Sequence, residues 1–466
     1  MFEYSFHSIS DYILFALKFY LFLFSISTII FLLLMTPKSI SKIFKKRNIK
    51  TVILCLCILF FCIFYITRNI MIILSLLILS IGSYGMFASI FKAIYFKISR
   101  KKSKLLDQME NYSEISIIFP IKNEVNVICR SLDKVFEVDY PPEKINVIVI
   151  DDYSTDGTLD VLNSYSQKNK ITIYRNDKEP GKASALNNFL DKISTEFLVI
   201  MDADHHMSKD FLKKALPYFN NPKVGLVQGM NCIRNGNHSI IAKLVELEFH
   251  GLHQITYYLA SMPMYLGTGA VFRSEVFKST GLFRNDISTE DWELSYRIHQ
   301  RNYEVIYSNR FCTYELAPVK LLEFLKQRYR WVRGTWQAVK IQFPNIINSK
   351  NLNFFKKRDF IFTCFFPINL LCFFSINIFF FLDFIKIISW PVNTLWLLFI
   401  NIPYILYYFL GAVFARKLKM FPFVFLIPFF YVLYSVAGFE AMFDECVISS
   451  EFRGVKSDRS DIKIKN

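Results

Sequence analysis

Hydrophobic positions follow two different patterns along this chain. Towards both ends they form long, nearly unbroken runs; in the middle they come as short runs separated by amphipathic and polar stretches. Three apolar runs precede the middle, at about 12–35, 51–66 and 70–91, and three follow it, at about 360–382, 393–414 and 421–443. Most reach the roughly 20 residues that span bilayer hydrocarbon as a helix. The second run is short, and Pro367, Asn369 and Asn377 interrupt the fourth. Between 111 and 235, β-rich runs at 115–120, 145–150, 171–174 and 197–201 alternate with helical periods over 124–136, 158–168 and 182–193. Continuous Val/Ile runs spaced by helices predict an α/β domain with a mostly parallel sheet covered on both faces.

The expected organisation is therefore a membrane region over 1–104 with about three transmembrane helices, and a cytoplasmic catalytic domain with interfacial helices over 105–350. A second membrane region over 351–445, again with about three helices, and a polar tail over 446–466 complete it. Lys and Arg set the orientation. Lys38, Lys42, Lys45, Lys46, Arg47 and Lys50 follow the first run, and Lys92, Lys97, Arg100, Lys101, Lys102 and Lys104 follow the third, whereas only Arg68 separates the second from the third. This places the N-terminus outside and the middle domain in the cytoplasm. The basic tail breaks the alternation: either it is external, or a stretch near Trp390 and Pro391 is re-entrant. No cleaved signal peptide is expected, because the first eleven residues lack Lys and Arg.

Composition changes this picture little. The chain has 466 residues, 53% of them hydrophobic, and a net charge of +16, but the basic residues cluster at the ends of the apolar runs. They fit attraction to anionic lipid head groups, and no nucleic-acid partner is expected. The nine cysteines include no CxxC pair and are expected as reduced, apolar side chains.

Candidate chemistry lies just after the predicted strands, because ligands of open parallel sheets bind at the carboxyl ends of strands. Asp151-Asp152 follows the second run and Asp202-Ala203-Asp204 the fourth. On adjacent strand ends these acids would repel each other and raise each other's pKa, a conflict that a divalent cation bridging to phosphate removes. Asp156, before Gly157-Thr158, is expected to serve a turn and helix start. His205-His206 lacks a third ligand at zinc spacing. The stretch 240–260 is expected as an amphipathic helix on the membrane face, with His250 and His253 on its polar side. Glu440, within the last run, is either functional or snorkelled to the interface.

Seven motifs in order carry a resemblance. They are 119–124 (Phe-Pro-Ile-Lys-Asn-Glu), Asp151-Asp152, 181–187 (Gly-Lys-Ala-Ser-Ala-Leu-Asn), Asp202-Ala203-Asp204, Gly267-Thr268-Gly269-Ala270, Thr289-Glu290-Asp291, and Gln327-Arg328-Tyr329-Arg330-Trp331. Over about 113–337 the chain resembles family 2 glycosyltransferases, the class of cellulose, chitin, hyaluronan and poly-N-acetylglucosamine synthases. The resemblance implies a nucleotide-sugar-binding domain of GT-A type inserted between two bundles of transmembrane helices, in a multi-pass protein of the cell membrane. It also implies inverting transfer from a nucleotide-diphosphate sugar, a UDP-sugar by expectation, to a growing polysaccharide extruded across the bilayer.

By the same resemblance Asp291 is the general base, with Gln327, Arg330 and Trp331 completing the catalytic set. Glu124, Asp151, Asp152, Lys182 and Asp202 hold the nucleotide sugar, and Asp204 holds Mg²⁺ or Mn²⁺. Gln327, Arg330 and Trp331 fall at i, i+3 and i+4, hence on one helical face. Arg330 can fork onto a diphosphate, and Trp331 offers a flat face for a sugar ring. A headgroup-anchored amphipathic helix would account for Trp331 alone, but poorly for Gln327 and Arg330. Two other functions stay open: a non-processive membrane enzyme adding one sugar to a lipid or glycan acceptor, and a non-catalytic membrane protein that kept the fold.

Overall fold

A computed structural model of the protein describes residues 112–256, 260–386 and 395–445. The three apolar runs before residue 104, the stretch at Trp390 and Pro391, and the tail beyond 445 lie outside the described residues.

Eight strands form one sheet in the order β3-β2-β1-β4-β7-β6-β8-β5. They are β1 (Ile115–Ile121), β2 (Ile145–Asp151), β3 (Ile171–Arg175), β4 (Phe197–Ile200), β5 (His206–Met207), β6 (Val224–Ile233), β7 (Ala270–Arg273) and β8 (Glu304–Glu315). The first half, β3-β2-β1-β4, is wholly parallel. In the second half β7 is antiparallel to both neighbours, β6 and β8 are parallel, and β5 is antiparallel to β8. The sheet is thus mixed and mostly parallel, and its parallel part coincides with the runs legible in the sequence.

In β1, β2 and β4 those runs are unbroken because both faces of the strands are buried, whereas β3, at the sheet edge, alternates and stays partly exposed. Ile117, Phe119, Ile121, Val147 and Val149 point into one layer with Ile128, Leu132 and Val135 of helix α1 (Ile128–Phe136). Ile118, Ile148 and Ile150 point the other way, onto Ala185, Leu186 and Phe189 of helix α3 (Lys182–Leu190). Between these helices in sequence lies α2 (Thr158–Ser166). Helix α1 begins four residues later than its period suggested, because the Glu124 carbonyl is taken by the turn amides of Val127 and Ile128.

Beyond the sheet come α4 (Ile240–Gly251), α5 (Glu290–Gln300), α6 (Leu321–Asn348), α7 (Phe354–Phe384), α8 (Leu395–Phe414) and α9 (Ile427–Phe443). Helix α4 is not a polar-sided surface helix. Its Leu244, Val245, Leu247, Glu248 and Phe249 are buried, and Gly251 meets Gly411 of α8 so closely that a Cβ would collide with backbone. A π-helical turn, Leu252–Thr256, follows it and turns His253 inward to bond Tyr307, so His253 is not a polar-face residue. Burial presses its pKa down to about 3.

Among the described residues, no single helix is long and apolar enough to cross a membrane. The pair Leu418–Val424 and Ile427–Met442 is long and apolar enough together, but it bends by 64°. Pro428, in the first turn of α9, has no N–H to continue the preceding turn, and this accounts for the break in what the sequence offered as one span. Glu440 is exposed on α9.

Candidate active site

The site is assembled at the carboxyl ends of β2, β1 and β4. Asp151 closes β2 and is fully buried; Asp152 follows it, nearly as buried. Asp152 accepts from Asn176 Nδ2 (2.8 Å) and from the backbone N–H of Gly181 (2.8 Å). Gly181 has φ +143°, a conformation that favours glycine, and leads directly into α3. One carboxylate thereby fixes where Lys182 begins its helix. Asp151 Oδ1 is buried and has no hydrogen-bond partner, which marks it as an acceptor available to a ligand's N–H or O–H.

The Glu124 amide donates to Thr158 Oγ1 (2.9 Å), stitching the end of β1 to the start of α2. Asp156 accepts from the Val125 and Thr158 amides and from the Thr158 hydroxyl, and these bonds outweigh partial burial to hold its pKa down. It serves the turn.

The two acidic clusters are not on adjacent strands: β1 runs between β2 and β4. Nor is Asp202 raised. Burial pushes its pKa upward, but Lys182 wins and holds the carboxyl below its usual range. Lys182 Nζ donates to Asp202 Oδ1 (2.6 Å) and to the Gly267 carbonyl (2.8 Å). Burial alone would lower the ammonium's pKa; Asp202, Glu290 and Asp291 together raise it. Lys182 is thus the cation about which three carboxylates gather.

Gly267 and Gly269 both have positive φ, and the Gly267 turn places its α-carbon against the Asp291 carboxyl. A Cβ there would stand 3.0 Å from Asp291 Oδ2 and 4.0 Å from Lys182 Nζ. Asp291 sits in the first turn of α5, where its Oδ1 accepts from the Trp292 amide (2.9 Å). Burial raises its pKa and the adjacent Glu290 charge adds to it, so the carboxyl is pushed up to about 7. Glu290 is also raised, first by burial. Arg330 lies close enough to stabilise both anions in part.

Helix α6 rides on this loop. A Cβ on Gly334 would meet Thr289 at 2.5 Å, so only glycine lets the backbone approach so closely. Gln327 is buried with Oε1 lacking a hydrogen-bond partner, and Arg330 Nε likewise has none. Trp331 is partly buried, and one face of its indole is covered by the Arg328 guanidinium at 4.3 Å. Arg328 itself is only 1% exposed and donates to Glu248 Oε2 at 2.6 Å. Neither Arg328 nor Glu248 stood out in the sequence; an Arg at the second position of the seventh motif and a Glu in an apolar stretch were their only signals.

Asp204 is buried beside Asp202, and its charge is felt by Asp202, His205 and His206. Its backbone carbonyl accepts from Arg234 Nη2 (3.1 Å). His205 faces Glu315 (3.3 Å), which raises its pKa against the effect of burial. His206 is lowered to about 4, first by burial and then by Arg234. Among the described residues, no three His, Cys, Asp or Glu side chains gather as a metal cage. The pair Asp202 and Asp204 does offer hard oxygen donors, which suit Mg²⁺ or Mn²⁺ completed by diphosphate oxygens and water.

Comparison with known proteins adds the family. Residues 116–281 match the model of glycosyl transferase family 2. The chain is 28% identical over 292 residues to a poly-β-1,6-N-acetyl-D-glucosamine synthase of Staphylococcus epidermidis, covering 58% of this chain and 68% of that protein. To the Staphylococcus aureus synthase of the same name it is 26% identical over 264 residues, covering 56% and 63%. Among solved structures, a mannosyltransferase of Pyrobaculum calidifontis in complex with GDP-Man and Mn²⁺ superimposes with a TM-score of 0.52 at 19% identity, over 78% of this chain and 98% of that one. That likeness establishes a GT-A-like α/β fold.

Proposed function

Because the chain is an enzyme of glycosyltransferase family 2, we propose that it polymerises a sugar from a nucleotide-diphosphate donor, inverting the anomeric centre, and passes the product across the membrane that holds it. The observation that carries this reading is the Asp291 carboxyl, pushed up to about 7 beside Lys182, Gly267 and Arg330. A base with a pKa near neutrality is suited to taking a proton from an acceptor hydroxyl.

In the proposed reaction Asp291 removes that proton as the hydroxyl oxygen bonds to the anomeric carbon. The bond from that carbon to the diphosphate oxygen breaks on the opposite face, and the electron pair leaves with the diphosphate. Lys182 and Arg330 answer the charge that develops there. Asp151 and Asp152 hold the nucleoside end, with Glu124 beside them, Gln327 lies near the donor with Arg330, and Trp331 receives the acceptor sugar. Mg²⁺ or Mn²⁺ at Asp204, with Asp202 beside it, would neutralise diphosphate charge when bound.

The relatives' names make N-acetylglucosamine, β-1,6-linked, the first sugar to test, on the UDP carrier that the sequence motifs lead us to expect. Membrane embedding is supported by the apolar sequences of α7 and α8, by the bent pair ending in α9, and by exposed Phe354, Phe355, Phe362, Phe365, Phe425 and Phe429. The apolar runs before residue 104 would complete the two bundles, leaving the catalytic domain cytoplasmic. The test is product size: purified protein in nanodiscs, with Mg²⁺ or Mn²⁺ and radiolabelled nucleotide sugars. A high-molecular-weight polymer from one donor is expected, and Trp331→Ala should abolish it. A single labelled sugar on an extractable lipid or glycan would overturn polymerisation in favour of single transfer.

A further inference from the structure

Glu445 lies just past the last apolar helix, more than a hundred residues from the nearest catalytic motif, yet its side chain faces α6. It accepts from Arg333 Nε (3.2 Å), Gln337 Nε2 (3.2 Å) and Lys340 Nζ (2.9 Å), and Lys340 also donates to its backbone carbonyl (3.0 Å). Residues 333, 337 and 340 are spaced i, i+4 and i+7, so one face of α6 closes around this acid. Its neighbour Asp444 accepts from Tyr329 Oη (2.7 Å), which in turn accepts from Arg333 Nη1 (2.8 Å).

Gln337 continues the connection inward. Its Oε1 accepts from the Ser288 backbone N–H (3.1 Å), immediately before Thr289-Glu290-Asp291. With an N–H donor on one side and a carboxylate on the other, the amide has a single orientation that satisfies both. Removing the acid would free Gln337 to turn and would leave the Ser288 amide, in a buried segment, without its fixed acceptor. Removing the proton of the acceptor hydroxyl needs no acid at residue 445. A brace for the end of α9 alone would not need Gln337 to reach the base loop.

We propose that Glu445 is a positioning residue for the Asp291 base, acting through Gln337, so that the seating of the last apolar helix sets the geometry of sugar transfer. This rests on the transferase reading above. The test uses the full chain in nanodiscs with Glu445→Ala, the near-isosteric Glu445→Gln, Gln337→Ala, and the double variant Glu445→Ala with Gln337→Ala. Hydrogen–deuterium exchange over 284–293 is expected to rise in the Glu445 variants, with exchange over 145–156 unchanged.

In the same proteins kcat is expected to fall roughly tenfold to a hundredfold, the scale of a small misplacement, while KM for the nucleotide sugar holds. The double variant should be no worse than Gln337→Ala alone. Unchanged exchange over 284–293 in folded Glu445→Gln, or additive losses in the double variant, would overturn the proposal. A wild-type protein that transfers no sugar would sink the transferase reading instead, and the exchange data would still decide whether Glu445 holds the loop.

Discussion

The two halves of the sheet are built by different means. In the β3-β2-β1-β4 half, a helix follows each of the first three strands, and the carboxylate after β2 is tied to groups just after β3 and just before α3. Asp152 reaches Asn176 and Gly181, 24 and 29 residues on. In the half built on β7, β6 and β8, the acids come from α5 and their supports from α6 and the end of α9. Ser288 is held by Gln337, 49 residues on, and Gln337 by Glu445, a further 108. The side proposed to hold the nucleotide is thus tied by groups nearby in the chain, whereas the side proposed to hold the base draws its contacts from helices far along it.

That contrast can be broken most strongly at the base itself. Asp291→Asn should lower the transfer rate by roughly 10²–10⁴-fold, with nucleotide binding by calorimetry close to wild type; activity near wild type would remove Asp291 from the chemistry. Lys182→Met should cost roughly 10²–10³-fold and, unlike Asp291→Asn, also weaken nucleotide binding, because Lys182 joins the two halves by bonding both Asp202 and Gly267. Equal binding in both variants would deny Lys182 that bridging place.

On the base side, Arg328→Met would strand the buried Glu248 carboxylate, whose pKa burial already raises despite Arg328. A destabilisation of about 3–5 kcal/mol is expected from breaking such a pair, read from a denaturant midpoint. A change below about 1 kcal/mol would mean the pair behaves as an exposed one.

Activity should also report the Asp291 shift. With its pKa pushed up to about 7, kcat/KM should rise with pH and level off above neutrality, falling about tenfold per unit below it. The sign for stability is opposite: an acid whose pKa is raised on folding from 3.8 contributes most below that value, and this contribution is lost as pH rises through about 7. A flat pH–rate profile between 5 and 8, on the order of the range where this carboxyl titrates, would count against Asp291 as the base. The smallest effect belongs to the nucleotide side. Asp156→Ala should cost about 1 kcal/mol by removing the acceptor at the start of α2, and leave the pH profile unchanged.

Much of this was legible in advance, unevenly. The strands β1, β2 and β4, the helices between them and the strand-end acids could be placed from the sequence because burial on both faces leaves an uninterrupted Val/Ile signature; the edge strand β3 showed instead as the alternating run Ile171-Thr172-Ile173-Tyr174. The long β6 and β8 were not anticipated: Gly225, Gly229 and the register shifts beside them break the period, and Glu304, Tyr314 and Arg310 interleave polar positions. The order of strands was misjudged as well. Nothing in a linear sequence says that β1 inserts between β2 and β4, so the repulsion expected between the two acidic clusters does not arise, and Lys182 governs Asp202 instead. His253 was misplaced for a related reason, since a π-turn shifts side chains by a residue and carries no sequence pattern of its own.

The sequence by itself determined which residues are buried on β1, β2 and β4, which acids stand at their ends, and that long apolar runs flank the domain. These follow from periodicity and from the chemistry of each residue, which act over a few neighbours. Only the tertiary structure decided that Lys182 joins Asp202 to Gly267, that Arg328 pairs with Glu248 under Trp331, and that Glu445 reaches Ser288 through Gln337. A pattern of hydrophobic and polar positions records which face of an element is covered, but not which distant element covers it; that partner is chosen by how the elements dock.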